Sequence, residues 1–121
     1  FMLPESSHGI WDGGPPSMRF GSVAMERLLD DVLAKGGLRE RLEIKLVGGA
    51  RMFACDFDVG ERNCDFALRY LKEQGLSAVS SDLRGDQARR VHYIPSDGRL
   101  WVRTLPREIL DAEGSEDVIW G

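Results

Sequence analysis

The sequence has 121 residues and a formal net charge of −4, with 42% hydrophobic and 30% charged residues. This length suits one domain, and the balance of apolar and charged residues is that of a soluble globular protein. The acidic charge and the scattered basic residues argue against nucleic acid as the main partner, and no apolar run is long enough to insert into a membrane. The two cysteines do not make a disulfide framework, which indicates a reducing, cytoplasmic setting.

The first third of the chain predicts a strand end, a loop and a helix. Phe1–Pro4 is apolar and ends in proline, which suits the end of a strand, and glycines and prolines then predict a loop up to Pro16. A helix is predicted to start near Ser22, which can cap it, and to stop at the glycine pair 36–37. Its apolar residues recur at helical spacing, at Met25, Leu28, Leu29, Val32 and Leu33.

A strand, a glycine pair and a second helix follow. Alternating apolar residues from 42 to 46 predict a strand that leads into Gly48-Gly49. The second helix is predicted over Arg62–Gln74, with Gly75 as its stop. Its inner stripe is predicted to hold Cys64, Ala67, Leu68 and Leu71, flanked by Phe66 and Tyr70.

Strand signals dominate the last third of the chain. Strands are predicted over Ala78–Ser81, Arg90–Ile94 and Leu100–Leu105. The segment Pro95-Ser96-Asp97-Gly98 is a hairpin turn signal between the last two. Residues 107–121 form a C-terminal tail in which Val118–Trp120 could be a last strand. The order of elements predicts an α+β or mixed α/β fold in a single domain over residues 1–121.

Several motifs, in this order, resemble those of one family. They are Met2-Leu3-Pro4, Phe20–Ala24, Lys45–Phe53, Val59–Asn63, and Asp82–Gly85 followed by Arg89 and Val91. Together they resemble the bacterial chemoreceptor glutamine deamidases, the CheD family, over nearly the whole chain. The resemblance implies a layered sandwich of mixed β-sheets flanked by two long helices, in a cysteine-hydrolase fold that uses no cofactor.

The sequence departs from the family pattern in two places. Arg84 stands where the family has the first glycine of a Gly-Gly pair. The family's catalytic cysteine, in a Gly-Ser-Cys motif, and its catalytic histidine, directly before the Met-Leu-Pro strand, would both lie upstream of Phe1. The chain is therefore expected to be an N-terminally truncated CheD-like domain that lacks the N-terminal strands, the nucleophile and the base, and that is inactive alone.

The resemblance implies a protein-glutamine deamidase that acts on the cytoplasmic helices of chemotaxis receptors. A thiolate attacks the side-chain carboxamide, ammonia leaves, and water hydrolyses the thioester to glutamate. Substrate-pocket or supporting residues are then expected at Gly48, Gly49, Ala50, Met52, Phe53, Arg62 and Asn63. The alternative for the glycines is that they only let a strand pass tightly against a helix. The alternative for Arg62 and Asn63 is a helix start, with local backbone bonds and a carboxylate partner.

The cysteines and histidines in the sequence do not supply the missing pair. Cys64 lies on the apolar stripe of the second helix and is predicted to be a small core residue. Cys55 lies beside Asp56 and Asp58, whose charges disfavour a thiolate. The two cysteines and two histidines are not spaced as zinc ligands, so no metal site is expected.

The predicted hairpin carries a histidine and a tryptophan whose surroundings differ. His92 should face solvent or a partner if Val91 and Tyr93 face the core, because neighbouring strand residues point to opposite sides. Trp101 alternates with two arginines and is predicted to pack on the sheet rather than to bind a partner.

The sequence is compatible with three hypotheses for the function. The first is the deamidase itself. The second is a binding module without chemistry, which docks a CheC-like chemotaxis phosphatase or receptor helices. The third is a diverged scaffold with neither role. A Gly-Ser-Cys motif and a histidine encoded before Phe1 would favour the first.

Overall fold

The computed structural model describes residues 1–5, 17–52 and 58–106. They form two helices, four strands and a short 3-10 turn, which are α1 (Gly21–Ala34), the turn Arg39–Arg41, β1 (Ile44–Gly48), α2 (Val59–Glu73), β2 (Ala78–Leu83), β3 (Ala88–Ile94) and β4 (Arg99–Leu105). The predicted mixture of helices and strands is confirmed. The expected last strand at Val118–Trp120 lies outside the described residues. Within the described ranges, no helix is both long and apolar enough to cross a membrane.

The four strands form two separate two-stranded sheets. β1 pairs in parallel with β2, from Ile44 opposite Ala78 to Gly48 opposite Leu83. Parallel neighbours need a long crossover, and α2 supplies it. β3 and β4 form the predicted antiparallel hairpin, in which Gly98 takes a φ of +75° in the turn. The parallel pairing places the end of β1 beside the loop that follows β2.

The N-terminal segment replaces the expected cap of α1. The helix begins at Gly21 after Phe20, which makes no side-chain capping bond, so the prediction of a Ser22 cap is wrong. The reason is that the amides of Gly21 and Ser22 donate instead to the carbonyls of Leu3 and Pro4, at 2.7 and 3.0 Å. Backbone acceptors satisfy the first amides of the helix, so no capping side chain is needed. The predicted strand end is a single β-bridge between Leu3 and Phe20.

α2 begins three residues earlier than predicted, at Val59. The Asp58 side chain accepts a hydrogen bond from the Glu61 amide at 3.0 Å, in the Asp-x-x-Glu pattern that marks a helix start. Leu68 is 42% exposed, so its placement on the inner stripe is wrong. Phe66, expected only at the edge, is buried, because its ring packs edge-on against Phe1 at 5.9 Å. The buried face holds Asn63, Cys64, Phe66, Ala67 and Leu71.

Candidate functional site

β1 ends in two glycines with positive φ, at 126° for Gly48 and 75° for Gly49. Here the backbone runs directly against the first turns of α2. A Cβ on Gly49 would overlap the Cys64 sulfur, and a Cβ on Gly60 would lie 2.5 Å from the Ala50 carbonyl oxygen. Gly48, Gly49 and Gly60 are here termed the glycine junction. These glycines allow β1 to pass tightly against α2. This is the structural alternative to a substrate pocket that was given above for the glycines.

The loop after β2 is bonded to the glycine junction through the backbone. The Gly48 carbonyl accepts from the Arg84 amide at 2.9 Å, and the Arg51 amide donates to the Gly85 carbonyl at 2.8 Å. Arg89 adds a longer bond to the Gly48 carbonyl, at 3.4 Å. The Gly48 oxygen is therefore engaged by the protein itself.

Arg84, which replaces a glycine of the family pattern, has a left-handed backbone with φ of 71°. That conformation costs an L-residue free energy and explains why glycine suits the position. The side chain compensates by pairing with two carboxylates of α2: it bonds Glu61 and lies 3.0 Å from Asp65. The bond to Asp65 raises the pKa of the Arg84 guanidinium. Arg84 thus ties the β2 loop to the helix that borders the glycine junction.

Two substitutions of Arg84 separate its backbone cost from its ion pairs. Arg84→Ala removes both ion pairs and keeps the free-energy cost of the left-handed backbone. Arg84→Gly removes the same pairs and also removes that cost, because glycine adopts a positive φ without strain. We expect Arg84→Gly to unfold at a higher urea concentration than Arg84→Ala. We also expect added salt to destabilise the original chain more than either variant, because surface ion pairs are screened. Equal midpoints for the two variants would contradict the left-handed conformation.

Arg89, which belongs to one of the family motifs but was assigned no role, is a buried arginine. Its side chain is 8% exposed and pairs with both oxygens of Asp82, at 3.2 and 3.3 Å. It also donates to the Arg84 carbonyl at 2.7 Å. Such a charge is tolerated in a protein interior when it is paired and hydrogen-bonded. Arg89 thereby joins the hairpin to β2 and its loop. An arginine within a strand ordinarily indicates an exposed face. The only signal in the sequence for the Arg89–Asp82 ion pair is the carboxylate of Asp82 in the preceding strand.

Cys64 is a core residue, as predicted. Its side chain is 2% exposed and its sulfur lies 3.8 Å from the Gly48 carbonyl oxygen. Burial raises the pKa of the Cys64 thiol, and the positive charge of Arg84 opposes this only in part. A buried, protonated thiol is a poor nucleophile. Cys55 lies outside the described residues.

We expect Cys64 to react with a thiol reagent only when the protein opens. In a Cys55→Ser variant Cys64 is the single cysteine, because the chain has two. Its labelling in native buffer should be slower than in denaturant by about 100-fold or more, since local opening of core helices is rare. Colour development with a disulfide reagent measures both rates. Rapid labelling in native buffer would show that the thiol is accessible and contradict its burial.

Asn63 is buried and Arg62 is exposed on α2. Asn63 is 6% exposed, and its Nδ2 donates to the Met2 carbonyl at 3.1 Å. Its Oδ1 is buried and has no hydrogen-bond partner among the described residues. Arg62 is exposed, and its amide donates to the Asp58 carbonyl at 3.2 Å. The prediction that these two residues start the helix is wrong, because Asp58 caps it four residues before Arg62. Asn63 instead holds the N-terminal segment against α2.

Six of the seven expected site residues lie within the described part of the chain. Gly48, Gly49 and Ala50 lie together at the glycine junction, whereas Met52 packs against the buried pair Ala88 and Leu105. Phe53 lies outside the described residues. Three or more side chains placed to hold a metal ion do not occur together in residues 1–5, 17–52 and 58–106.

An apolar groove of about 550 Å³ lies between α1, β1, α2 and the hairpin. Four of the five predicted apolar residues of α1, all but Leu33, form one wall of the groove. This wall is partly open to solvent, since Leu28 is 65% exposed and Val32 38%. Tyr93 and Leu100 of the hairpin line the opposite side. This volume falls within the range of pockets that take a small ligand or a few side chains of a partner. The sequence predicted the helix stripe but not that it borders an open groove.

Comparison with known proteins supplies the last observation. Residues 2–104 match the family model described as CheD chemotactic sensory transduction. A probable chemoreceptor glutamine deamidase CheD of Rhodopseudomonas palustris is 47% identical over 107 residues, which cover 88% of this chain and 50% of that protein. A protein of the same name from Caulobacter vibrioides is 46% identical over 105 residues, covering 87% of this chain and 55% of that protein.

A third relative gives the same result. The probable chemoreceptor glutamine deamidase CheD of Halorhodospira halophila is 44% identical over 113 residues, covering 88% of this chain and 51% of that protein. The chain spans about half the length of the curated relatives it matches. The family match covers most of the chain and includes the glycine junction, Asn63 and the Arg84 loop. The chain therefore belongs to the CheD family.

Proposed function

We propose that this chain is part of a protein-glutamine deamidase that converts glutamines of chemoreceptors to glutamates. The observation that carries the proposal is the family match over residues 2–104, together with relatives that bear this activity in their names. Under the proposal, residues 1–121 belong to one domain, a layered sandwich with a cysteine-hydrolase fold. The protein acts in the cytoplasm on receptor helices and needs no cofactor.

The described residues supply the frame of this site rather than its nucleophile. Deamidation needs a reactive thiolate with a base beside it. Cys64 does not fit that role, because it is buried and its pKa is raised. Cys55 lies beside Asp56 and Asp58, whose charges disfavour a thiolate. The proposal therefore assigns the thiolate and its histidine to residues outside 1–121. Asn63 holds the N-terminal segment against α2 through the Met2 carbonyl, and under the proposal this segment directly follows the position where the family carries its histidine.

The experiment compares this chain with a chimera. In the chimera the chain replaces the matching region of the R. palustris relative, so that the rest of that protein is present. Each is incubated with a chemoreceptor cytoplasmic fragment, and ammonia release and the mass change of glutamine peptides are followed. We expect turnover from the chimera and none from the chain alone. A folded chimera without turnover would overturn the proposal, and turnover by the chain alone would overturn the assignment of the nucleophile.

The second candidate function is docking without chemistry, to a CheC-like chemotaxis phosphatase or to receptor helices. The open apolar groove favours it, because α1 presents an exposed Leu28 there and a helix could lay its apolar face along such a groove. Calorimetry, in which the phosphatase or a receptor fragment is titrated into the isolated chain, distinguishes the two candidate functions. Binding that is lost in Leu28→Asp, with no ammonia release from the chimera, would favour docking alone.

A further inference from the structure

The two sides of the β3–β4 hairpin have different surroundings. His92 and Trp101 lie opposite each other on one side, and both are exposed. Trp101 is 56% exposed, so the expectation that it packs on the sheet is wrong. Tyr93 and Leu100, which also lie opposite each other, are on the other side, because neighbouring strand residues project to opposite sides. This second side of the hairpin borders the apolar groove described above.

A single cationic side chain lines the groove among the described residues. Lys45, in β1, is half-buried, and its Nζ donates to the Gly98 carbonyl oxygen in the hairpin turn at 2.5 Å. This bond holds the ammonium group where the groove meets the hairpin turn. An ammonium group carries three N–H donors, so the group that bonds Gly98 can also donate to a ligand in the groove.

The groove also has one carboxylate among its described lining residues. This residue, Glu43, is exposed, whereas Lys45 is half-buried. A charge in open water is screened and contributes little to binding, but a charge among apolar side chains is screened much less. The Lys45 ammonium therefore decides which charge the groove prefers in a ligand, and that charge is negative.

We propose that the groove binds a linear amphiphilic acid, with its carboxylate on Lys45 and its aliphatic chain along α1. An ammonium and a carboxylate form a short, charge-assisted hydrogen bond. Leu28, Leu29 and Val32 line the groove from α1 and supply the apolar contact for the chain. The volume of about 550 Å³ is that of a small-molecule site. The apolar stripe of a partner helix would offer the Lys45 ammonium no acceptor, so the acid is the better occupant.

Decanoate and decylammonium are the probes, because they share an aliphatic chain and differ in the charge of the head group. Calorimetry follows the binding of each to the chain, below the concentrations at which they form micelles. We expect decanoate to bind saturably and decylammonium to bind about tenfold more weakly or less, since only decanoate can pair with Lys45. Each methylene added between octanoate and decanoate should tighten binding by about two- to fourfold, because it buries more apolar surface.

Three substitutions test the role of Lys45 in binding. Lys45→Met keeps the apolar stem and removes the charge, so it should weaken decanoate binding by about tenfold or more. Lys45→Arg keeps the charge and should retain most of the binding. The matched control is Lys72→Met, which removes a charge from an exposed residue of α2 outside the groove lining. It should leave binding within about twofold, since only screened attraction changes. Circular dichroism verifies that each variant is folded.

Four results would each overturn the inference. The first is that decanoate does not bind saturably. The second is equal affinity for the two head groups, which would show that Lys45 only holds the hairpin turn. The third is an equal loss in Lys45→Met and Lys72→Met. The fourth is decanoate binding by the chain but not by the folded chimera, which would show that the rest of the protein covers the groove. The inference does not depend on the deamidase reaction, so a chimera that binds decanoate without turnover would overturn only the proposed function.

Discussion

Replacing Gly49 by alanine is expected to destabilise the protein by about 3 kcal/mol or more. Two costs add. Gly49 has a φ of +75°, a left-handed conformation that alanine adopts only with strain. The new methyl group would also overlap the Cys64 sulfur and lie 2.9 Å from the Gly60 carbonyl oxygen. The contact is with backbone and with a buried side chain, so neither neighbour can move away cheaply.

Gly98→Ala is the matched control for this substitution. Gly98 has the same φ of +75°, but among the described residues no atom beyond Gly98 and its two chain neighbours lies within 4 Å of the position that its Cβ would take. Its substitution should cost about 1 kcal/mol, from backbone strain alone. Urea denaturation of both variants gives the difference, which isolates the steric part at the glycine junction. Equal losses in the two variants would show that β1 and α2 do not approach as closely as described.

Local signals in the sequence predicted most of the elements. Apolar spacing and terminal glycines identified both helices, and Pro95–Gly98 identified the hairpin, because these signals act over a few residues. The predicted start of α2 at Arg62 is three residues too late, because it overlooks the Asp58–Glu61 capping pattern. The parallel pairing of β1 with β2 was not predicted. It joins residues more than thirty positions apart, such as Ile44 and Ala78, and no local pattern encodes such a pairing.

The site was less predictable than the fold, since its parts meet through tertiary contacts. The sequence showed that Gly48 and Gly49 required a close approach, but not whether a substrate or a helix approached them. Arg84 stood out as a departure from a glycine pattern, yet its compensation by Glu61 and Asp65 depends on how α2 lies beside the loop. The exposure of Trp101 likewise depends on which side of the hairpin is covered, and alternation in the sequence does not determine that.

The stability of the Asn63→Asp variant is expected to depend strongly on pH. The side chain at 63 is buried and donates to the Met2 carbonyl at 3.1 Å. A carboxylate cannot donate this bond, and its charge would be buried without a partner, so we expect a loss of about 3 kcal/mol at neutral pH. A protonated carboxyl group can donate to the Met2 oxygen, so the loss should shrink in acid.

The sign of this pH dependence follows from the buried position. Burial raises the pKa of an aspartate above its unfolded value of about 3.9. The variant is therefore most stable, relative to the original chain, below that pH, and it loses stability as pH rises through the folded-state pKa. Asn63→Ala removes the same hydrogen bond without adding a charge. Its loss should be about 1 to 3 kcal/mol and independent of pH.

Urea denaturation of both Asn63 variants across the acid-to-neutral range tests the link between α2 and the N-terminal segment. Met2 lies between Phe1, which packs on Phe66, and Leu3, whose carbonyl accepts the first amide of α1. Losing the Asn63 bond should therefore loosen the contact of the whole segment with both helices. If the aspartate variant loses no more stability at neutral pH than in acid, the side chain at 63 is not buried against Met2. Under the proposed function, the same loosening in the chimera should lower turnover more than substrate affinity, because the segment positions the group that precedes it.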